Sequence, residues 1–311
     1  MFNLMIKPLS IITALIFGIF FVYNSLNFKL DASSDTLILQ NDEDFQYFNY
    51  YNEIFPNKNF LVLALKSEKQ IDQKFIDSIN KIKSSLSKIE YIDSIFTISD
   101  APILIASNLK FTDLNIETVP TLKNSQIKLS LALNEFSESP IFKEQVISKN
   151  QKVSALIIYP KIDQEYYDLK KEKDLIKMKL TENTFDLKEI DNKYKLAKSA
   201  FNKKRHDLIL NIRSELKQLD ISYEYYLGGI DMIADDTISY VKKDIFVFGI
   251  SVTIFLIIIL FVIFRNFKWV IIPLISTCYA ILIMIGLIGF LKWEITAISS
   301  NFISLMLILS I

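Results

Sequence analysis

The sequence predicts an integral membrane α-helical bundle joined to an exported α+β domain. Three apolar stretches, residues 245–264, 270–291 and 298–311, lie in the last part of the chain, and another apolar run, residues 9–23, lies near its start. Nearly all of the 35 basic and 35 acidic side chains lie between them. About 20 apolar residues suffice for a helix to cross a bilayer. The apolar stretches therefore predict membrane spans, and the charged segment predicts a domain in water.

The stretch 245–264 gives the clearest signal for a membrane span. Apart from Gly249, Ser251 and Thr253, it contains only Ile, Leu, Val and Phe. Each such apolar residue favours insertion by about 0.3 to 0.6 kcal/mol, whereas a central Asp, Lys or Arg costs about 2.5 to 3.5 kcal/mol. A core helix of a soluble protein is disfavoured, because its apolar runs are typically about 10 to 14 residues long.

The run 9–23 admits two interpretations. It follows Lys7 and Pro8, and a basic residue before a short apolar core is the pattern of a secretory signal peptide. The residues after the core, 24–28 (NSLNF), contain no small-x-small cleavage site, which favours an uncleaved first membrane helix. Both interpretations export the segment that follows.

A short loop between the second and third spans orients the chain. Residues 265–269 (RNFKW) carry two positive charges, Arg265 and Lys268, and no negative charge, which is typical of a cytoplasmic loop. We therefore expect a multi-pass protein of the cell inner (cytoplasmic) membrane with a cytoplasmic N-terminus. Its expected parts are a first transmembrane helix at 1–27, an extracytoplasmic porter-like domain at 28–243, and transmembrane helices 2, 3 and a truncated 4 at 244–311.

The exported segment alternates between strand and helix patterns. Residues 59–67 have the apolar, β-branched composition of a buried strand. Residues 71–90 carry apolar side chains at spacings of three and four, which predicts an amphipathic helix. Further strands are predicted at 91–98, at 145–160 (two strands joined by a turn, the second at 153–159) and at 221–227.

The order of these elements predicts the fold of the exported domain. Strand, helix, strand, strand, helix, strand is the βαββαβ arrangement of a ferredoxin-like core. Residues 100–142 fit no regular pattern and are expected to form loop and short helix.

Composition changes sharply within residues 163–219. Apolar or aromatic residues recur there at spacings of three and four, and most other positions are Lys, Glu, Asp, Asn or Gln. The pattern is interrupted at 181–184 (TENT), where Thr184 can cap a second helix. We interpret the region as an antiparallel helical hairpin inserted into the domain, with a single long solvated helix as the alternative. A docking arm for a periplasmic partner or a homo-oligomer is a further hypothesis, although the narrow apolar stripe can be covered by the hairpin itself.

Composition also argues against several classes of function. The formal net charge of zero gives no case for nucleic-acid binding. The single cysteine, Cys278, lies in the third span, so no internal disulfide can form. The single histidine, His206, lies in a charged helical run, where we expect a solvated side chain rather than a zinc site or a catalytic triad. We find no paired carboxylates or nucleophile arrangement, and we expect neither an enzyme nor a cofactor.

Glycines and carboxylates precede the second span. Gly228 and Gly229 are expected to permit the turn from a strand to the connecting helix, and the chain contains no G-x-x-x-x-G-K-[ST] phosphate loop. The carboxylates of Asp231, Asp235 and Asp236 are a candidate cation site. We favour the interpretation that they lie at the N-terminal dipole of a helix, which acidic side chains stabilise.

Asn301, near the start of the last span, is interpreted as a polar group at a helix end, with a role in a substrate path as the alternative. The full set of structural and topology candidates is Gly228, Gly229, Asp235, Asp236, Arg265, Lys268, Pro273 and Asn301.

Four sequence motifs resemble those of the resistance-nodulation-cell division (RND) superfamily of permeases. DASSDTLILQNDEDFQYF (31–48) follows the first span, and YLGGIDMIADDTISYVKKDIFVFG (226–249) leads into the second. FRNFKWVIIPL (264–274) and ITAISSNFISLMLI (295–308) accompany the third and fourth. Their order is similar to that in the lipid-exporter and hydrophobe-exporter branch, which includes MMPL proteins and hopanoid transporters. The resemblance implies the N-terminal half of a proton-driven permease with lipid or other hydrophobic substrates.

The chain departs from the superfamily in one respect and leaves one alternative open. The superfamily's proton-relay residues lie in the fourth span and its counterpart, but no acidic residue lies in any span here, so the relay is expected beyond residue 311. The alternative is the permease subunit of an ATP-driven exporter or lipoprotein-release system. That class needs a sizeable cytoplasmic segment between the second and third spans, for which residues 265–269 leave little room. Expected partners are the lipid bilayer, the substrate and the missing C-terminal half of the same chain.

The orientation argument makes a testable prediction. We expect cysteines placed at Asn266 and at Asn183 to react with membrane-impermeant thiol reagents from opposite sides of the membrane, because the positively charged loop is retained in the cytoplasm. The measurement is labelling in intact cells and in inverted vesicles. Labelling of both positions from the same side would contradict the predicted topology.

Overall fold

The computed structural model describes residues 2–31, 59–107, 119–123, 127–178, 184–296 and 302–309, together with 44, 47, 50, 51, 54, 55 and 299. The chain divides into two compact units, one formed by Met1–Ile54 with Ala234–Ile311 and the other by Phe55–Ile233. In chain order the elements are α1 (Phe2–Ser25), β1 (Lys29–Asp31), β2 (Leu61–Lys66), α2 (Gln73–Leu86), β3 (Ile92–Phe96), α3 (Leu129–Glu138), β4 (Val153–Pro160), α4 (Gln164–Met178), α5 (Thr184–Gln218), β5 (Glu224–Gly228), α6 (Ile230–Phe264), α7 (Phe267–Phe290), β6 (Glu294–Thr296) and α8 (Phe302–Leu309).

Four antiparallel strands form the sheet of the second unit. Their order is β3-β4-β2-β5, so β2 and β4 are central. Leu61, Leu63 and Leu65 on alternate positions of β2 are fully buried. Leu63 lies opposite Leu156 of β4 and Leu227 of β5. The alternation of strand side chains thus turns one face of the sheet towards the hydrophobic core.

Helix α2 confirms the amphipathic helix predicted after the first domain strand. Asp72 caps it by accepting a hydrogen bond from the Phe75 amide at 2.9 Å. Its buried side chains include Phe75, Ile79, Ile82 and Leu86, spaced by three or four residues, and all belong to the core. Burial of one apolar stripe against the sheet explains why this helix forms.

Only one of the two strands predicted at 145–160 is present. Strand β4 (Val153–Pro160) is confirmed, but the residues before it form only isolated bridges, centred on Ile147. Glu144 and Gln151 have positive φ angles of 58° and 54°, which extended strands do not adopt. The segment therefore folds back as a pair of turns, which its alternating composition did not reveal.

Two carboxylates organise the described part of the region predicted as loop and short helix. Asp100 forms ion pairs of 2.6 Å with both Lys83 and Lys123. Burial opposes its ionisation, but hydrogen bonds from Lys123, Lys83 and Thr97 prevail and lower the pKa of Asp100 to about 2. Glu135 of α3 accepts hydrogen bonds from three consecutive backbone amides of residues 104–106. These contacts fix the chain where regular secondary structure is short.

Helices α4 and α5 pack against each other in opposite directions. Asp163, just before α4, forms an ion pair of 2.7 Å with Lys204, and Lys173 forms one of 2.7 Å with Asp191. As the residue number rises along α4, the partner's number falls along α5. The interruption predicted at 181–184 lies outside the described residues except for the first residue of α5.

The C-terminal part of α5 belongs to the domain core. Leu208, Ile212 and Leu216 are at most 3% exposed and join the same hydrophobic cluster as the sheet and α2. The interpretation of all of residues 163–219 as an inserted hairpin is therefore corrected. Spacing alone predicts an apolar stripe, but it does not tell whether the stripe faces a second helix or a sheet.

Two helices of the described chain, α6 and α7, are long and apolar enough to cross a membrane. Residues 12–25 of α1 form a shorter apolar helix, and α8 is described over eight residues. The loop predicted at 265–269 is shorter than expected. Only Arg265 and Asn266 separate α6 from α7, because Asn266 caps α7 by accepting a hydrogen bond from the Lys268 amide at 3.1 Å.

Helices α1 and α7 approach each other closely at two glycines. A Cβ atom added to Gly286 would overlap the backbone of Phe21, and one added to Gly289 would overlap the backbone of Asn24. Lipid tails are as apolar as the side chains and provide no hydrophobic driving force between helices, so small residues that allow close contact stabilise such pairs.

The same two helices run in the same direction. Tyr279 of α7 donates a hydrogen bond to the Ala14 carbonyl of α1 at 2.7 Å, across 265 residues of sequence. The two glycine contacts also join residues that are 265 positions apart in the sequence. Beyond the helices, β1 and β6 pair in parallel with Lys29 opposite Glu294, again at that offset. No pattern in the sequence indicated this pairing.

The core position of α5 predicts a strong contrast between neighbouring residues. We expect Ile212→Ala to lower the free energy of unfolding by about 2 to 5 kcal/mol, because it opens a cavity in the core. Leu210→Ala is the matched control: Leu210 is 48% exposed on the same helix, and we expect a change within about 0.5 kcal/mol. Urea unfolding of the full chain in detergent, followed by circular dichroism, measures both. Equal losses would contradict the placement of α5.

The glycine contacts make a second prediction. We expect Gly289→Ala to destabilise the α1–α7 pair by about 1 to 3 kcal/mol, because the added methyl group forces the backbones apart. Gly249→Ala in α6 is the control, since a Cβ there meets nothing within 4 Å. The readout is the temperature at which the detergent-solubilised protein loses its monodisperse elution profile. A lower midpoint for Gly249→Ala than for Gly289→Ala would refute the packing.

Candidate functional site

The turn from β5 into α6 determines where the first carboxylate of α6 lies. Gly229 has a φ of 135°, and a Cβ atom there would lie 2.9 Å from the Phe60 carbonyl oxygen. Both the backbone angle and the close approach require glycine at this position. Gly228 is the last residue of β5, and a Cβ added there meets nothing within 4 Å. Of the two glycines expected to permit the turn, Gly229 is the one whose geometry demands it.

Asp231 lies in the first turn of α6 and is buried in the domain. Its carboxylate Oδ1 is 3.7 Å from Nη1 of Arg205 on α5, and their side chains are 12% and 10% exposed. Burial raises the pKa of the Asp231 carboxyl, although Arg205 and a hydrogen bond from Asn59 both favour its charged form. The pair therefore holds a carboxylate that binds a proton more readily than a solvated aspartate does.

Further polar side chains surround this ion pair. Asn59, just before β2, also donates a hydrogen bond to the Tyr167 hydroxyl at 3.1 Å. Burial, followed by the charge of Asp231, raises the pKa of Tyr167 to about 12, so its hydroxyl stays protonated. Tyr167 belongs to α4, and the ion pair of Asp163 with Lys204 lies on the same two helices. We call Asn59, Asp163, Tyr167, Lys204, Arg205 and Asp231 the polar cluster.

Arg205 is the central member of the polar cluster. Its guanidinium carbon lies 5.7 Å from the centre of the Phe201 ring, and its buried Nε–H has no hydrogen-bond partner among the described residues. Removing either partner from a buried ion pair leaves an uncompensated charge, which costs about 3 to 5 kcal/mol. The cluster thus joins α4, α5, the start of α6 and the residues just before β2 through hydrogen bonds and ion pairs, and neither charge of the Arg205–Asp231 pair can be removed alone without loss.

The cation site considered for the three aspartates gains no support. Within the described ranges, no group of three or more His, Cys, Asp or Glu side chains could hold a metal ion. Asp231 faces Arg205 instead. Asp235 is buried and Asp236 partly buried, and each has an interaction partner of its own.

The remaining candidates lie along the membrane helices. Arg265 has a positive φ of 48° at the link between α6 and α7, and Lys268 is in the first turn of α7. Pro273 lies inside α7, where it cannot donate the backbone hydrogen bond of a regular helix. Asn301 lies outside the described residues.

Sequence reasoning missed most of the polar cluster. Asn59 precedes β2, whereas Tyr167, Arg205 and Asp231 come from three different helices, and each residue alone resembles a surface side chain. The sequence did contain a signal for the α1–α7 contact. Gly286 and Gly289 are small residues three positions apart, which puts them on one face of the helix, where another helix can approach closely.

Comparison with known families gives one match. None of the curated proteins compared with the chain matches it. The family model of the MMPL family matches residues 195–311, a region that begins within α5 and includes Arg205, Asp231, α6 and α7. This match confirms the resemblance carried by the motifs from residue 226 onward. Residues 195–311 are thus similar to the MMPL family, and they include both helices that are long and apolar enough to cross a membrane.

Proposed function

We propose that the protein exports lipids or other hydrophobic compounds across the inner membrane as part of a proton-driven RND-type permease. The observation that carries the proposal is the MMPL match over residues 195–311, because it covers both helices that are long and apolar enough to cross a membrane. Residues 28–243 then form the extracytoplasmic porter-like domain of the permease.

The arrangement of α1, α6 and α7 supports this topology. Only two residues, Arg265 and Asn266, link the end of α6 to the start of α7, and Lys268 adds a second positive charge near this link. Positive charges in short loops favour the cytoplasmic side. Because α1 and α7 run in parallel and β1 pairs with β6, a cytoplasmic link puts residues 29–31 and 294–296 on the extracytoplasmic side.

The sheet supports the proposed type of porter-like domain. An all-antiparallel order of β3-β4-β2-β5, with helices following β2 and β4, agrees with a ferredoxin-like βαββαβ core. In this proposal α4 and the part of α5 before Leu208 are the inserted hairpin, and the rest of α5 serves as the second core helix.

The driving force and substrate class are proposed from the family resemblance. The apolar segment 245–264 and helix α7 contain no acidic residue, so neither offers an intramembrane carboxylate. An ATP-driven exporter is disfavoured, because a link of two residues between α6 and α7 provides no cytoplasmic segment that an ATPase could contact.

Transport by the intact protein tests the proposal. We expect proteoliposomes that contain it to move a fluorescent lipid or a hydrophobic dye when a pH gradient is imposed, and to stop when an ionophore collapses the gradient. Gly289→Ala is expected to reduce the rate at least about threefold, since it disturbs α1–α7 packing. Gly249→Ala serves as the matched control and should retain the rate.

Two outcomes would contradict the proposal. Transport that requires ATP and ignores the pH gradient would support the ATP-driven alternative. Transport of the lipid and the dye no faster than in empty liposomes would exclude export of these compounds.

A further inference from the structure

An open groove lies between α4 and α5 on the helical hairpin. It has a volume of about 560 Å³, and side chains from both helices line it. Leu169 of α4 and Ala197 and Ala200 of α5 provide apolar lining, and Leu196 stands at its edge. Leu196 is 72% exposed.

The hairpin does not need this groove for its own cohesion. Tyr166 of α4 stacks on Phe201 of α5 with ring centres 4.3 Å apart and an angle of 1° between the rings. Tyr194 stacks on Tyr166 as well, and the Lys173 ammonium lies 4.1 Å from the centre of the Tyr194 ring. Tyr166 and Tyr194 are each 8% exposed, so the two helices are joined by a buried aromatic row that does not line the groove.

The groove carries an excess of negative charge. Glu165, Asp168 and Glu172 line it from α4 at spacings of three and four residues, which puts them on one side of that helix. None of the three forms an ion pair with a described residue. Among the described residues, Lys193 is the only lysine that lines the groove, and it is already paired with Glu189 at 2.8 Å.

We propose that this groove binds a cationic amphipathic helix of a partner protein. A groove between two antiparallel helices has the shape that accepts a third helix, whose side chains fill the space between the ridges. An apolar stripe on that helix would cover Leu196, Ala197 and Ala200. Lysine or arginine side chains beside the stripe would pair with the three carboxylates, which specifies the sign of the partner's charge. The proposal goes beyond transport and does not depend on the substrate or the driving force.

A designed pair of peptides tests the charge preference on the full chain in nanodiscs of zwitterionic lipid. Both are helical peptides of about three heptads with one leucine stripe. One carries lysine beside the stripe and the other carries glutamate. We expect the lysine peptide to bind the protein at least about tenfold more tightly than the glutamate peptide, as measured by fluorescence anisotropy after subtraction of empty nanodiscs.

Charge reversal locates the binding site. The variant Glu165→Lys, Asp168→Lys, Glu172→Lys is expected to weaken binding of the lysine peptide at least about tenfold. The matched control, Glu68→Lys, Glu90→Lys, Asp93→Lys, makes the same change in charge at exposed positions of the same unit and should stay within about twofold. Circular dichroism spectra confirm that both variants are folded. Leu196→Ala tests the apolar contact without a change in charge and should weaken binding as well.

Three results would overturn the proposal. Equal binding of the two peptides would show that the carboxylates do not select the partner's charge. Equal weakening by the groove and control variants would show general electrostatic attraction. A photo-crosslinking residue at Leu196 that joins two copies of this chain in cells, and no other protein, would mean that the groove is filled by self-association.

Discussion

The junction between β5 and α6 is the constraint on which the arrangement of the domain depends. Strand β5 pairs with the central strand β2, and Gly229 then turns the chain with a positive φ against the Phe60 carbonyl. One residue later α6 begins, and Asp231 in its first turn faces Arg205. A side chain at position 229 would strain the turn, and loss of either charge would leave the other buried. The start of α6 is therefore fixed to the sheet and to α5 by geometry and by charge.

Helix α5 belongs to two structures at once. Its N-terminal part packs on α4 through stacked aromatic rings, and its C-terminal part supplies Leu208, Ile212 and Leu216 to the core. Arg205 lies between these two parts and binds the start of α6. Arg205 therefore connects the start of α6 to a helix whose two ends have different packing partners.

The sequence predicted well those elements whose environment is uniform. Uninterrupted apolar composition predicted α7 and the part of α6 from residue 245 onward, and a single apolar stripe predicted α2, because a bilayer or the domain core covers each of these segments along its whole length. Prediction failed where the environment changes within one element. The periodicity of α5 continues unbroken from a partner helix to the core, and the turns around Ile147 have a strand-like composition.

Contacts between distant residues were beyond sequence reasoning for a related reason. The pairing of β1 with β6 and the polar cluster join residues whose individual composition is ordinary, and only the fold decides which of them meet. The α1–α7 contact is different, because two glycines on one helix face, Gly286 and Gly289, indicate a place where another helix can approach closely. Within a bilayer, helix association must come from close packing and hydrogen bonds rather than from apolar burial. The Tyr279 hydrogen bond to the Ala14 carbonyl and the two glycine contacts supply both, and the parallel pairing of β1 and β6 continues the same alignment beyond the apolar helices.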